Sequence, residues 1–251
     1  MQRNFYDSFP ITSILLLLIV GMYALEMLAR FKLGGEQGPL LTFGIDGRTV
    51  IALGSSAPGH VLHGEVWRLV SCMFLHGSAA HIFMNGMVLV FVGKMCEPQL
   101  SSPRFFTSFV LCGLVSSLLG FGLSYAEAER VGILLRSPGS VGASGALAGF
   151  VGVLLVHSIR YRNVVLREFA IRWIVVIAVF SILVSNRVSI DHAGHLGGFA
   201  TGCVLGIWVK PYTTSDEAAR WRVPAYIAGG VVAVGLGSAV WNYFHTLAST
   251  S

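Results

Sequence analysis

Of the 251 residues, 54% are hydrophobic and only 12% charged, with a mean hydropathy of +0.72; soluble domains carry about 25% charge, so a water-exposed globular fold is excluded and an all-α polytopic membrane helix bundle is expected. The formal net charge of +5 comes without a basic run interleaved with aromatics, which argues against nucleic acid as a partner and assigns the excess to membrane topology and lipid contact. Cys72, Cys96, Cys112 and Cys203 are scattered and form no C-x-x-C pair, so neither a disulfide framework nor a metal site is expected, and no cofactor is implied.

A hydrophobic stretch of roughly 20 residues crosses a bilayer. The first is Pro10–Ala29, preceded by Arg3 and followed by Arg30 and Lys32. It is long for the apolar region of a signal peptide and no A-x-A site follows, so a retained span is expected. Residues 31–66 read as a Gly-rich loop with Pro39 and Pro58, broken by the apolar residues Leu40, Leu41, Phe43, Val50, Ile51 and Leu53. A loop of this kind packs on the membrane surface. It ends in Glu65-Val66-Trp67-Arg68, an aromatic and a cation suited to an interface.

The second span is expected near Phe74–Met95. It contains His76, His81 and Asn85, which are costly in a membrane unless they face protein or water. His81 and Asn85 are four apart and share a helix face. The third span is Phe105–Tyr125, the fourth Ala143–Val156 and the fifth Phe169–Val184. The sixth, Ile190–Val209, carries Asp191, His192 and His195 at its start. The seventh, Val223–Phe244, is apolar and uncharged.

Seven spans put the termini on opposite sides. With the amino terminus inside, ten of the 17 Lys and Arg residues fall on inside segments (Arg3, Lys94, Arg104, Arg160, Arg162, Arg167, Arg172, Lys210, Arg220, Arg222) and the other seven outside, a modest positive-inside preference. On this topology Ser144, His81 and the start of the sixth span all lie near the outer face.

Ser144 sits in Gly142-Ala143-Ser144-Gly145, where glycines leave the hydroxyl open to an approaching group. It opens the fourth span, and His195 lies in the first two turns of the sixth. Gly194, Gly198, Gly202 and Gly206 repeat every four residues, as do Gly145 and Gly149; such stripes let membrane helices approach closely. If they face each other, His195 can act as general base on Ser144 as nucleophile. Asp191, one turn before His195, either orients it or caps the helix. His81, Asn85 and the backbone N–H of Ser144 are candidate donors to an oxyanion, and His76 is structural or assisting.

The order His76-x4-His81-x3-Asn85, Gly142-x-Ser144-Gly145, His195-x-x-Gly198 resembles the rhomboid intramembrane serine proteases, with Trp67-Arg68, Glu97 and Asp191 as further matches. The resemblance covers about Trp67 to Gly206. It implies one membrane domain over residues 1–251, with a six-helix core (about 10–209) and an extra helix at the carboxyl end (about 223–244). It implies cleavage of transmembrane protein substrates near the outer boundary of a lipid bilayer, with Ser144 and His195 catalytic and His81 and Asn85 assisting the oxyanion. Trp67-Arg68 would belong to a membrane-embedded loop, Glu97 would partner a cation such as Arg68, and the second and fifth spans would flank a lateral entrance. A bacterial inner membrane is the expected location. Relatives carry an aromatic four residues after the serine; here that position is Ala148, and the nearest aromatic is Phe150.

Three other readings compete. One is a catalytically silent relative that binds transmembrane clients, suggested by Ala148. Another is a metal-dependent hydrolase built from His76, His81, Asp191, His192 and His195, although no H-E-x-x-H helix is present. A small transporter would leave interrupted spans in two similar halves, and no such repeat is found.

Overall fold

The computed structural model describes residues 8–33, 44–134, 137–184, 190–211 and 215–250. Pro39, Leu40, Leu41 and Phe43 of the expected surface loop, and the cations Arg3, Arg136 and Arg187, lie outside the described residues.

The chain begins with α1 (Pro10–Lys32), which starts on a proline whose missing N–H costs nothing there. The following loop folds into short helices. α2 (Gly47–Ala52) is capped by Asp46, which accepts from Thr49 N at 3.0 Å and Thr49 Oγ1 at 2.8 Å. α3 (Pro58–Leu62) again opens on proline, and α4 (Arg68–Ser71) runs into a 3-10 turn at Cys72–Phe74. The transmembrane part continues with α5 (Ala79–Leu100), α6 (Ser102–Arg130), α7 (Ser144–Arg160), α8 (Val164–Val184) and α9 (His192–Trp208). The short α10 (Ser215–Arg220) precedes α11 (Arg222–Thr250).

Among the described residues there are no strands, and seven helices reach 17 residues or more, as an all-α polytopic bundle requires. α1, α5, α6 and the stretch Asp216–Ser249 are long and apolar enough to cross a bilayer unaided. α7 is apolar but, at 17 residues and 1.5 Å per residue, only about 26 Å long.

The second span differs from expectation. Its helix begins at Ala79, not Phe74, because Leu75 is extended (ψ 152°) and Ser78 caps the helix by accepting from His81 N at 3.2 Å. His76 therefore lies in the connection before the helix.

α7 is the centre of the bundle. Its residues from Gly145 to Leu154 are all buried, and α9, α6, α8 and α5 pack around it. The α7–α9 pair is the most extensive helix contact. A Cβ on Gly198 would collide with the carbonyl oxygen of Gly145, one on Gly202 with that of Gly149, and one on Gly152 with that of Phe199. The two glycine stripes face each other and remove the side chains that would hold the backbones apart. At the end of the seam away from Ser144, Arg160 Nη1 donates to the Gly206 and Ile207 carbonyls, and His157 Nε2 lies 2.7 Å from the Val209 oxygen. These bonds engage carbonyls at the end of α9 that a helix cannot satisfy internally.

α1 packs on α5, and α11 packs on α6 and α4, where Gly235 faces Val70. α8 rests mainly on α7, and Val164, Val165, Ile171, Val175, Val176 and Val179 face outward. That outward apolar face suits lipid.

Candidate active site

The loop before α7 is held from two sides. Ser56 and Ser140 exchange hydrogen bonds, Ser140 N donating to Ser56 Oγ at 2.9 Å and Ser56 Oγ to Ser140 O at 3.1 Å. Gly142 N donates to the Cys72 carbonyl at 2.8 Å. Gly142 has φ +127°, a conformation open to glycine and strained for other residues. A Cβ there would also lie 2.8 Å from His81 Cε1 and 2.9 Å from His81 Nε2. Glycine is thus needed for both the backbone turn and the approach of the imidazole.

Ser144 and His195 come together as the glycine stripes suggested. His195 Nε2 lies 2.7 Å from Ser144 Oγ, and both residues are partly accessible. A hydroxyl and an imidazole at this distance can exchange a proton. The backbone N–H groups in the first turn of α7 have no helical acceptor and carry the positive end of the helix dipole.

From the first turn of α5, His81 faces Gly142. Asn85 Nδ2 donates to the His81 carbonyl at 3.2 Å, which engages one amide N–H and leaves the other. The His76 ring stands edge-on to His81, with centroids 5.1 Å apart, and neither of its ring nitrogens has a hydrogen-bond partner.

Asp191 has its own partners. Oδ1 accepts from Gly194 N at 2.7 Å as the cap of α9, and Oδ2 accepts from Ser140 Oγ at 2.6 Å. His195 Nδ1 is buried and makes no hydrogen bond of normal geometry; its polar contact is with the Asp191 backbone, one turn earlier. Of the two roles open to Asp191, the structure shows the cap. His192 is exposed. Phe150 stacks on Phe105 of α6, with centroids 4.5 Å apart and planes at 22°, and buried Ala148 provides no ring over His195.

Glu97 does not pair with Arg68; its partners among the described residues are at the start of α1 and of α6. It accepts from Ile11 N and Thr12 N at 2.9 Å each, Thr12 Oγ1 at 2.6 Å and Ser102 Oγ at 2.7 Å. Its position at the positive end of α1 explains why a buried carboxylate is tolerated there. Arg68 is paired with Glu65 instead, through Nε at 2.8 Å and Nη2 at 2.7 Å, and Nη1 donates to the Ile51 and Ser55 carbonyls. Its guanidinium lies 4.7 Å from the Trp67 ring. Burial pushes the Glu65 carboxyl up, but hydrogen bonds with His60 and Arg68 outweigh it and leave it below the usual carboxylate range.

Beside Ser144 lies a cavity of about 30 Å³, lined in part by Cys72, Ser116, Ser117, Ser140 and Asp191, large enough for a water molecule and lined by groups that can bind one. Among the described residues no three His, Cys, Asp or Glu side chains converge as a metal site.

Sequence reasoning missed Ser140, Ser56 and Glu26. The serines carry no sequence signal, being common in loops. Glu26, fully buried in α1, was legible: an acid in an apolar span marks a site by default.

A family model described as Rhomboid domain matches residues 63–212. RHOMBOID-like protein 4 of Arabidopsis thaliana is 33% identical over 195 residues, covering 74% of this chain and 45% of that protein. Rhomboid protease GluP of Bacillus subtilis (strain 168) is 32% identical over 182 residues, covering 71% of this chain and 32% of that protein. Rhomboid-like protease 2 of Toxoplasma gondii is 27% identical over 181 residues, covering 69% of this chain and 58% of that protein. The matched segment therefore spans less than two thirds of each of these relatives.

Proposed function

The chain belongs to the rhomboid family, and we propose that it is an intramembrane serine endopeptidase cleaving transmembrane protein substrates near the outer membrane boundary. The observation that carries this reading is the 2.7 Å approach of His195 Nε2 to Ser144 Oγ across a seam of glycines. Two polar side chains at the start of separate apolar helices meet there because the backbones between them touch.

In the proposed reaction Ser144 Oγ attacks the scissile carbonyl carbon and His195 Nε2 takes its proton. The carbonyl oxygen becomes an oxyanion, with donors offered by the Ser144 backbone N–H, the His81 ring and the free Asn85 amide N–H. The C–N bond then breaks, the departing amine takes the proton from His195, and the acyl group remains as an ester on Ser144. Water, deprotonated by His195, attacks that ester and returns the hydroxyl. Asp191 acts here through the backbone of α9 and through Ser140 in the loop before α7. The proposal takes the chain as a single membrane domain over residues 1–251, with a core of about 10–209 and an extra helix at about 223–244, in a bacterial inner membrane.

A second reading, a silent relative that binds transmembrane clients, is favoured by Ala148. One experiment separates the two: labelling of detergent-purified protein by a fluorophosphonate, with the modified peptide mapped. The peptidase reading expects labelling at Ser144, falling by at least about 10³-fold in Ser144→Ala and His195→Ala. Folded wild-type protein that stays unlabelled would overturn it in favour of the binder.

A further inference from the structure

α1 carries one acid in its outer half, Glu26, and its side chain is 0% exposed. Both carboxylate oxygens accept from the backbone N–H of His76, at 3.0 and 3.1 Å. That N–H belongs to the connection between the 3-10 turn and α5, where no helical carbonyl is available to it. The connection is also tied to the preceding loop, where Ile45 N donates to the Gly77 carbonyl at 2.7 Å.

The His76 side chain is fully buried, and neither ring nitrogen makes a hydrogen bond of normal geometry. What polar contact the ring has is with the Phe74 backbone just before the same connection; the backbone therefore sets where the ring stands, and Glu26 holds the backbone. The ring in turn stands edge-on to His81 at 5.1 Å, and His81 faces Gly142, whose Cα carries no side chain between the imidazole and the Ser144 hydroxyl. Three contacts thus lead from the carboxylate of α1 to the surroundings of the serine.

The geometry points to Glu26 as a positioning residue, which aligns the His76–His81 pair on the oxyanion side of Ser144. This rests on the peptidase reading and adds to it a residue from a helix that otherwise contributes nothing to the site. A carboxyl group suits the role because either oxygen can take the N–H through small rotations of the side chain. Misplacing a catalytic group by about 1 Å can cost 10²-fold in rate, so a tether of one backbone N–H is enough to matter.

The test compares wild type with Glu26→Gln, Glu26→Leu and Thr12→Val. Thr12→Val removes one Glu97 hydrogen bond at the far end of α1 and serves as a control for loosening the helix. Three quantities are read: the saturating rate and half-saturating concentration of fluorophosphonate labelling at Ser144, amide hydrogen exchange over residues 75–82, and resistance to unfolding by SDS. Glu26→Leu should lower the saturating rate at least about 10-fold, with the half-saturating concentration little changed and exchange over 75–82 accelerated. Glu26→Gln, which keeps an acceptor oxygen, should restore both to near wild type. Thr12→Val should unfold more easily and label normally.

Wild-type labelling or unchanged exchange in Glu26→Leu would overturn the inference, as would a labelling loss no larger than in Thr12→Val. If Glu26→Leu does not fold, Glu26→Asp carries the same test, since it keeps the acceptor but withdraws it from His76. Were wild-type protein itself unlabelled, the peptidase reading would fall, and unchanged exchange over 75–82 would separately remove the tether.

Discussion

Two helix pairs around the candidate site are built on opposite rules. α7 and α9 meet backbone to backbone, glycine against carbonyl, over three successive contacts. α5 and α8 touch sparsely among the described residues, bridged by the rings of Phe91 and Trp173 with centroids 6.1 Å apart. Both pairs are apolar, and in lipid apolarity does not drive helices together. The difference lies in shape. Glycine lets two backbones fix each other's position, whereas two large side chains hold backbones apart and can swing away by changing rotamer. The proposed dyad spans the first pair, and the resemblance puts the lateral entrance at the second.

The sharpest way to break this comparison is to put a side chain into the first seam. Gly202→Val places its Cβ against the Gly149 carbonyl, where neither backbone can yield. We expect a loss of at least about 3 kcal/mol, read as a lower SDS concentration for unfolding, together with loss of labelling at Ser144. Gly21→Val on α1, with nothing within 4 Å of the added Cβ, should leave both nearly unchanged. If Gly202→Val folded and labelled like wild type, the seam would not be what positions His195.

That seam was the most legible part of the molecule. The four-residue spacing of Gly198, Gly202 and Gly206 and of Gly145 and Gly149 survives folding because helical periodicity converts it directly into a face. The span boundaries were less legible where local hydrogen bonding overrides hydropathy: Phe74 and Leu75 are apolar enough to read as the start of the span, yet Ser78 caps a helix that begins only at Ala79. Partners across long sequence distances were not legible at all. Nothing in the spacing says that Glu97 meets the start of α1 and not Arg68, or that Ser140 meets Asp191. The departure at Ala148 was visible, but the engagement of Phe150 with Phe105 required the structure.

The second pair yields a smaller effect of a different kind. Phe91 is already 46% exposed, so Phe91→Ala should cost no more than about 1 kcal/mol, well below the 3–5 kcal/mol of a fully buried phenylalanine. If entry of a helical substrate requires α5 and α8 to separate, removing the ring should change the half-saturating concentration of a reconstituted transmembrane peptide by several-fold. Labelling by a small fluorophosphonate, which needs no such opening, should stay within about twofold. Equal changes in both assays would mean that the ring pair shapes the site itself, and the distinction between a fixed seam and a movable one would disappear.

The smallest effect separates backbone contact from end-capping as the source of the first seam's stiffness. Arg160 reaches from the last turn of α7 to the Gly206 and Ile207 carbonyls of α9. These bonds lie at the end of the seam away from Ser144, and Arg160 is exposed. A hydrogen bond from a charged donor that water can replace contributes about 0.5–1 kcal/mol. Arg160→Ala should therefore lower SDS resistance slightly and leave Ser144 labelling unchanged, because the glycine contacts nearer the site still fix the register. A labelling loss in Arg160→Ala without a matching loss of stability would show that α9 can slide along α7 once its end is released. Close backbone packing would then be a consequence of the register and not its cause.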